Sequence, residues 1–98
     1  MSDADLQLVD GQWCLVTVRQ WKRDSFVKYL HNDIEQKQLQ QLITEVFEPE
    51  EPVYDNMILL RTSSYSEARK ALQQVEFFQG IQRLKPNEAK RMLDKLSD

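Results

Sequence analysis

Apolar and polar positions change period several times along the chain, and each change marks an element. Trp13 to Val18 (WCLVTV) is β-branched and aromatic and predicts a strand, with both of its faces largely apolar. Gln20 to Asp24 is a polar turn, after which Phe26, Val27, Leu30 and Ile34 recur at helical spacing. Asp24 or Ser25 is placed to cap that helix, which is predicted to run to about Gln38. Leu39 and Leu42 in QKQLQQL suggest a packed connection to a second short strand, Ile43 to Phe47. EPEEP, residues 48 to 52, is a loop by composition, because its prolines cannot donate to a ladder.

The next stretch, VYDNMILLRT, is an apolar run interrupted by Asp55 and Asn56. Two turn-formers at a strand centre would leave polar groups to be satisfied, so they are read as a bulge or turn at the rim, the strand entering the sheet at Met57. A link as short as EPEEP makes this strand and the one before it an antiparallel hairpin. Ser64 or Ser66 then caps a second helix with Ala68, Ala71, Leu72 and Val75 as its stripe. Glu76 to Leu84 returns to strand, with Gly80 as a bulge or close-approach point. Lys85 and Pro86 open a third helix, in which Ala89, Met92, Leu93 and Leu96 share one face.

The order β α β β α β α is an α+β fold: the ferredoxin-like split βαβ plan, a four-stranded antiparallel sheet, with an additional C-terminal helix. A sheet with one wet face would alternate cleanly. WCLVTV and MILL do not, so the last helix is expected to cover the face that the first two leave open.

Composition narrows the function classes. With 98 residues, 41% hydrophobic, 30% charged and only 2 Gly, the chain holds one modest globular domain at residues 12–98, behind an acidic, flexible tail at residues 1–11. No run reaches the roughly 20 apolar residues of a membrane span, and the acidic N-terminus resembles no secretory signal. A cytoplasmic location is therefore expected. Cys14 is the sole cysteine, which leaves no internal disulfide and no cysteine metal cluster; it reads as a small core residue. The net charge of −3 argues against a general nucleic-acid coat, although Arg19, Lys22, Arg23 and Lys28 cluster while residues 31–51 are acidic.

Catalysis finds little to work with. His31 and Glu35 share a helical face at i, i+4, but no second His or Cys completes a metal site and no nucleophile is near enough for a triad. Glu50 and Glu51 read as a solvated turn, and two glycines cannot build a phosphate cradle. No enzyme activity, cofactor, metal or small-molecule substrate is expected. Base stacking of the RNA-binding type would use aromatics on the two central strands, where Trp13 and Phe77 or Phe78 are expected to sit. The accompanying basic and glycine-rich pattern is missing from EFFQGIQRL, and core filling is the preferred role of these rings.

The ordered set of motifs resembles the N-terminal (NGN) domain of the NusG family of transcription elongation factors. Trp13-Cys14-Leu15-Val16 matches its opening strand, Val27 and Leu30 its first helix, and Glu45-Val46-Phe47-Glu48-Pro49 its second strand. Tyr54 to Leu59 aligns with the third strand without its Pro-Gly; Val75, Gly80 and Ile81 match the next segment, and Leu84, Glu88, Met92, Leu93 and Leu96 the last. The insertion between the second and third strands is cut to EEP, and the chain stops at Asp98 without a KOW barrel, so recruitment by that route is not expected. The resemblance implies docking on the clamp helices of the largest subunit of multisubunit RNA polymerase, favouring elongation. Its implied partner patch is Trp13, Tyr54 and Met57 with Tyr65 or Phe78 nearby, core filling being the competing role. Lys22, Arg23, Arg69 and Lys70 are the candidates for phosphate contacts with upstream DNA. The rival expectation is a ferredoxin-like interaction or assembly module that binds another protein complex.

Overall fold

Ile58, Leu59 and Leu60 are consecutive and all fully buried, which one sheet face cannot achieve because successive side chains point to opposite sides. The computed structural model, which describes residues 11–97, places them on a strand covered on both faces. The elements are β1 (Gln12–Val18), α1 (Arg23–Gln36), β2 (Ile43–Phe47), a 3₁₀ turn (Pro52–Tyr54), β3 (Met57–Thr62), α2 (Tyr65–Leu72), β4 (Phe78–Arg83) and α3 (Pro86–Ser97). The sheet order is β2-β3-β1-β4, every neighbouring pair antiparallel, so the fold is the expected ferredoxin-like split βαβ with a third helix. The expected tail lies, apart from Gly11, outside the described residues.

On one face Cys14, Val16 and Val18 of β1 and Ile58 and Leu60 of β3 pack with Phe26, Val27 and Leu30 of α1 and Leu72 of α2. On the other face Leu59, Leu84 and Ala89 form a smaller core, with Trp13, Leu15, Met92 and Leu93 packed against it. α3 therefore covers the second face as its apolar stripe predicts. Side chains are described on α3 as far as Leu93, so the expected fourth contact, Leu96, lies outside them.

The helix ends differ in instructive ways. Neither Asp24 nor Ser25 is the cap of α1: Lys22 holds that position without a side-chain cap bond, and Asp24 sits in the first turn, where a carboxylate favours the helix dipole. α1 stops at Gln36 because Gln38 turns left-handed at φ 56°. Leu39 N–H then donates to Ile34 O at 2.8 Å and Gln38 N–H to Glu35 O, the two bonds that end a helix on a left-handed residue. Ser64 does cap α2, its Oγ accepting from Glu67 N–H at 3.4 Å. The fully buried Thr62 supports that cap, its Oγ1 accepting from Ser64 N–H at 3.1 Å and donating to Ser64 O at 3.0 Å.

Two turns and a bulge matter for the surface. Lys22 N–H donates to Arg19 O at 3.0 Å, closing a turn whose third residue, Trp21, has φ 71° and is 83% exposed. Glycine is the residue that usually occupies such a position. Asp55 and Asn56 precede β3 as a turn, and Asn56 O accepts from Val18 N–H at 2.9 Å. At β4 the irregularity falls one residue before Gly80. Thr17 pairs with Gly80 but Val18 with Phe78, so Gln79 is the extra residue. Gly80 is not a point of close approach, since a Cβ there would meet nothing within 4 Å. Gly11 is one: at φ 69° its Cβ would lie 2.6 Å from Thr62 O.

Candidate partner-binding surface

Strand register decides which side chains reach the α3 face. Trp13 lies opposite Arg61, Leu15 opposite Leu59 and Thr17 opposite Met57, while on β2 Glu45 pairs with Arg61 and Phe47 with Leu59. All of these share one face, because directly paired residues point the same way. α3 closes over Leu59 and leaves a strip at the β2–β3 side. Phe47 is 37% exposed, and Trp13 and Met57 are half-buried. The rings of Trp13 and Phe47 meet at 5.8 Å between centroids, tilted by 41°. The Arg61 guanidinium lies 5.8 Å from the Trp13 ring centroid and donates to Glu45, so the apolar strip ends in an ion pair. At the other end the connection from β2 to β3 carries Val53, 68% exposed, and Tyr54, half-buried.

The five expected patch residues are thus divided by the sheet. Trp13 and Met57 share the α3 face, with Tyr54 just ahead of β3. Tyr65 and Phe78 pack instead against the core under α1 and α2. Strict alternation from Gly80 would have put Phe78 on the α3 face; the extra residue Gln79 turns it to the side of Val18. Tyr65 is held on its side by its Oη, which donates to Ile81 O at 3.1 Å, and by Arg83, 4.4 Å from its ring centroid. Phe47 and Val53 are not among the patch residues expected from the sequence. Phe47 had a signal, its parity with Glu45 on an edge strand, whereas Val53 stands out only through the turn that lifts it.

The expected stacking aromatics are also redistributed. β1 and β3 are the central strands, so Phe78 lies on an edge strand and Phe77 ahead of it, where its ring stacks with Tyr29 at 6.1 Å. Of the four candidate phosphate contacts, Arg23 is engaged within the fold: its Nη1 donates to Pro49 O at 2.6 Å, Tyr54 O at 3.0 Å and Met57 O at 3.3 Å, and its Nε lies 3.6 Å from Glu48. Lys22 is exposed, with its Nζ 5.4 Å from the Phe77 ring centroid. Arg69 and Lys70 are exposed on α2, Lys70 at 3.6 Å from Glu67.

The chemistry elsewhere is sparse. Cys14 is fully buried, and burial pushes its thiol up to about 11, with Arg83 opposing in part. His31 and Glu35 are both exposed on α1, and Glu50 and Glu51 lie in the β2–β3 connection. Among the described residues no group of three or more His, Cys, Asp or Glu could hold a metal ion, and no helix is long and apolar enough to cross a membrane. An open depression of about 190 Å³ beside α1 is lined by Tyr29, Asn32, Asp33, Gln74, Val75 and Glu76. That is smaller than the roughly 300–1,000 Å³ of ordinary ligand clefts.

No family model matches the chain, and no curated protein matches its sequence. Its fold is similar to two crystal structures of the MjSpt4:Spt5 complex. Conformation B matches with a TM-score of 0.66 at 12% identity over 83% of this chain and 54% of the other. Conformation A matches with a TM-score of 0.64 at 10% identity over 83% of this chain and 57% of the other. The chain therefore spans little more than half the length of the chains it matches, and at such identity what the two share is a fold.

Proposed function

We propose that this chain is a non-catalytic, NusG-like module that binds multisubunit RNA polymerase at the clamp helices of its largest subunit and modulates transcription elongation. The observation that carries the reading is the likeness of fold to the Spt4:Spt5 complex, Spt5 being the NusG homologue. The strip of Trp13, Phe47 and Met57 agrees with it, since an apolar surface ending in a charged pair suits the tip of a partner's helices. In this reading Lys22, Arg69 and Lys70 reach the phosphates of upstream DNA, while Arg23 is left to the fold. On the same reading the domain works in the cytoplasm and without a cofactor.

The test uses purified core RNA polymerase and the tagged chain. Binding that is retained by the wild type and lost on Met57→Asp or Phe47→Asp supports the reading, and a folded wild type that does not bind polymerase sinks it. The departures from the family's pattern, EEP in place of the insertion and Asp55-Asn56 in place of Pro-Gly, with the net charge of −3, favour a second reading, a ferredoxin-like module for another protein complex. Loss of a different, defined complex on the same two substitutions would select it.

A further inference from the structure

Residues 48–56 join β2 to β3, and little of this connection is held by burial: Pro49 is buried, but Glu48, Glu50, Pro52, Val53 and Asp55 are exposed. Within it the 3₁₀ turn has two bonds of its own, Tyr54 N–H to Glu51 O at 2.9 Å and Asp55 N–H to Pro52 O at 3.2 Å. From β1, Val18 N–H donates to Asn56 O at 2.9 Å, and one side chain of α1 holds three further carbonyls. Arg23 reaches from the first residue of α1 across 26, 31 and 34 positions to the carbonyls of Pro49, Tyr54 and Met57, and its Nε faces Glu48. These carbonyls lie near the start of the connection, at the end of its turn and on the first residue of β3. A guanidinium is suited to this task because its charge strengthens each bond and its planar fork is pre-organised.

We infer that Arg23 is the positioning residue of the partner-binding edge, presetting the β2–β3 connection in the shape that presents Val53, Tyr54 and Met57. The inference rests on the polymerase reading above and adds how the edge is made ready. A connection that must be ordered on contact subtracts its ordering entropy from the affinity, and one already ordered does not. Arg23 acts through the connection and need not touch the partner.

The experiment compares wild type, Arg23→Ala, Arg23→Lys and Met57→Asp for affinity to purified core RNA polymerase and for amide exchange at Tyr54 and Asp55. Arg23→Ala is expected to speed exchange at those amides and weaken binding, each by about tenfold, with helix content unchanged. Arg23→Lys, which keeps the charge and three donors, is expected to recover part of both. Faster exchange with unchanged affinity would overturn the inference, as would unchanged exchange. If Arg23→Ala does not fold, Arg23→Lys carries the comparison: relative to the wild type its exchange must quicken as its affinity falls. A wild type that fails to bind polymerase defeats the function reading and this inference with it. A wild type that binds but ignores Met57→Asp removes the edge from that reading, whatever the Arg23 variants do.

Discussion

Leu59→Ala separates the two cores. Leu59 is fully enclosed, between Leu15 and Phe47 on the sheet and packed with Leu84 and with Ala89 of α3. Removing three carbons forfeits about 2.4 kcal/mol of transfer free energy at about 0.8 kcal/mol for each. The cavity term comes on top, and its size depends on how far the site can collapse. Here Met92 and Leu93 are only partly buried and α3 packs on one side alone, so the helix can settle into the gap. The expected cost is therefore near the lower end of the range, about 2.5–3 kcal/mol. Leu60→Ala removes the same atoms from the larger core, under α1 and α2, where fixed neighbours such as Cys14 and Ile58 hold the void open. About 3.5–5 kcal/mol is expected there. Denaturant unfolding of both variants gives the two free energies, and amide exchange along α3 gives their distribution. Leu59→Ala should loosen α3 before the rest of the domain. Equal costs for the two variants, or α3 exchange that follows global unfolding alone, would refute the division into a main and a satellite core.

Trp21→Gly is expected to be more stable than Trp21→Ala by about 0.5–1 kcal/mol, because alanine keeps the left-handed strain of roughly 1–2 kcal/mol that glycine avoids; thermal unfolding checks the order, which would be reversed at an ordinary φ. Ser64→Ala should cost about 1 kcal/mol through the lost α2 cap, whereas Ser66→Ala should stay within about 0.5 kcal/mol, both read by denaturant unfolding. For Cys14, the folded thiol keeps its proton up to about 11 against an ordinary 9.0, so the native state binds more protons between those values. Stability should then fall as pH rises from 9 to 11, and the part of that slope due to the thiol should vanish in Cys14→Ala.

Much of the fold was legible because its signals are local and redundant. Helical spacing at Phe26, Val27 and Leu30, the unbroken MILL, and Ser64 before an apolar stripe each identify an element without reference to the rest of the chain. The parts that escaped depend on partners distant in sequence or on residues in unaccustomed roles. Trp21, Gln38 and Phe77 all take positive φ, so the usual glycine punctuation is absent where the chain turns. Phe78 changed faces because one bulge residue, Gln79, resets the parity of a strand. Arg23 resembles any surface cation until three carbonyls, all far along the chain, converge on it. The candidate surface was half legible for the same reason: Trp13 and Met57 follow from strand parity, whereas Val53 and the exclusion of Tyr65 follow from turns and long-range contacts.

The strand order also carries a consequence for how the chain reaches this state. β1 is first in sequence yet lies between β3 and β4, so its two edges must wait for segments about 45 and 65 residues downstream, a sheet dominated by non-local pairing. During synthesis WCLVTV would emerge with both edges open and both faces apolar, and no hairpin of its own could shelter it. Among the described strands the β2–β3 hairpin is the one local pairing, and it offers the first template. β1 has a place to dock once that template has formed, and its other edge stays open until β4, the last strand to be synthesised, is available. A chain interrupted before β4 would present an apolar central strand as an exposed edge, the arrangement most prone to pairing with a neighbouring copy.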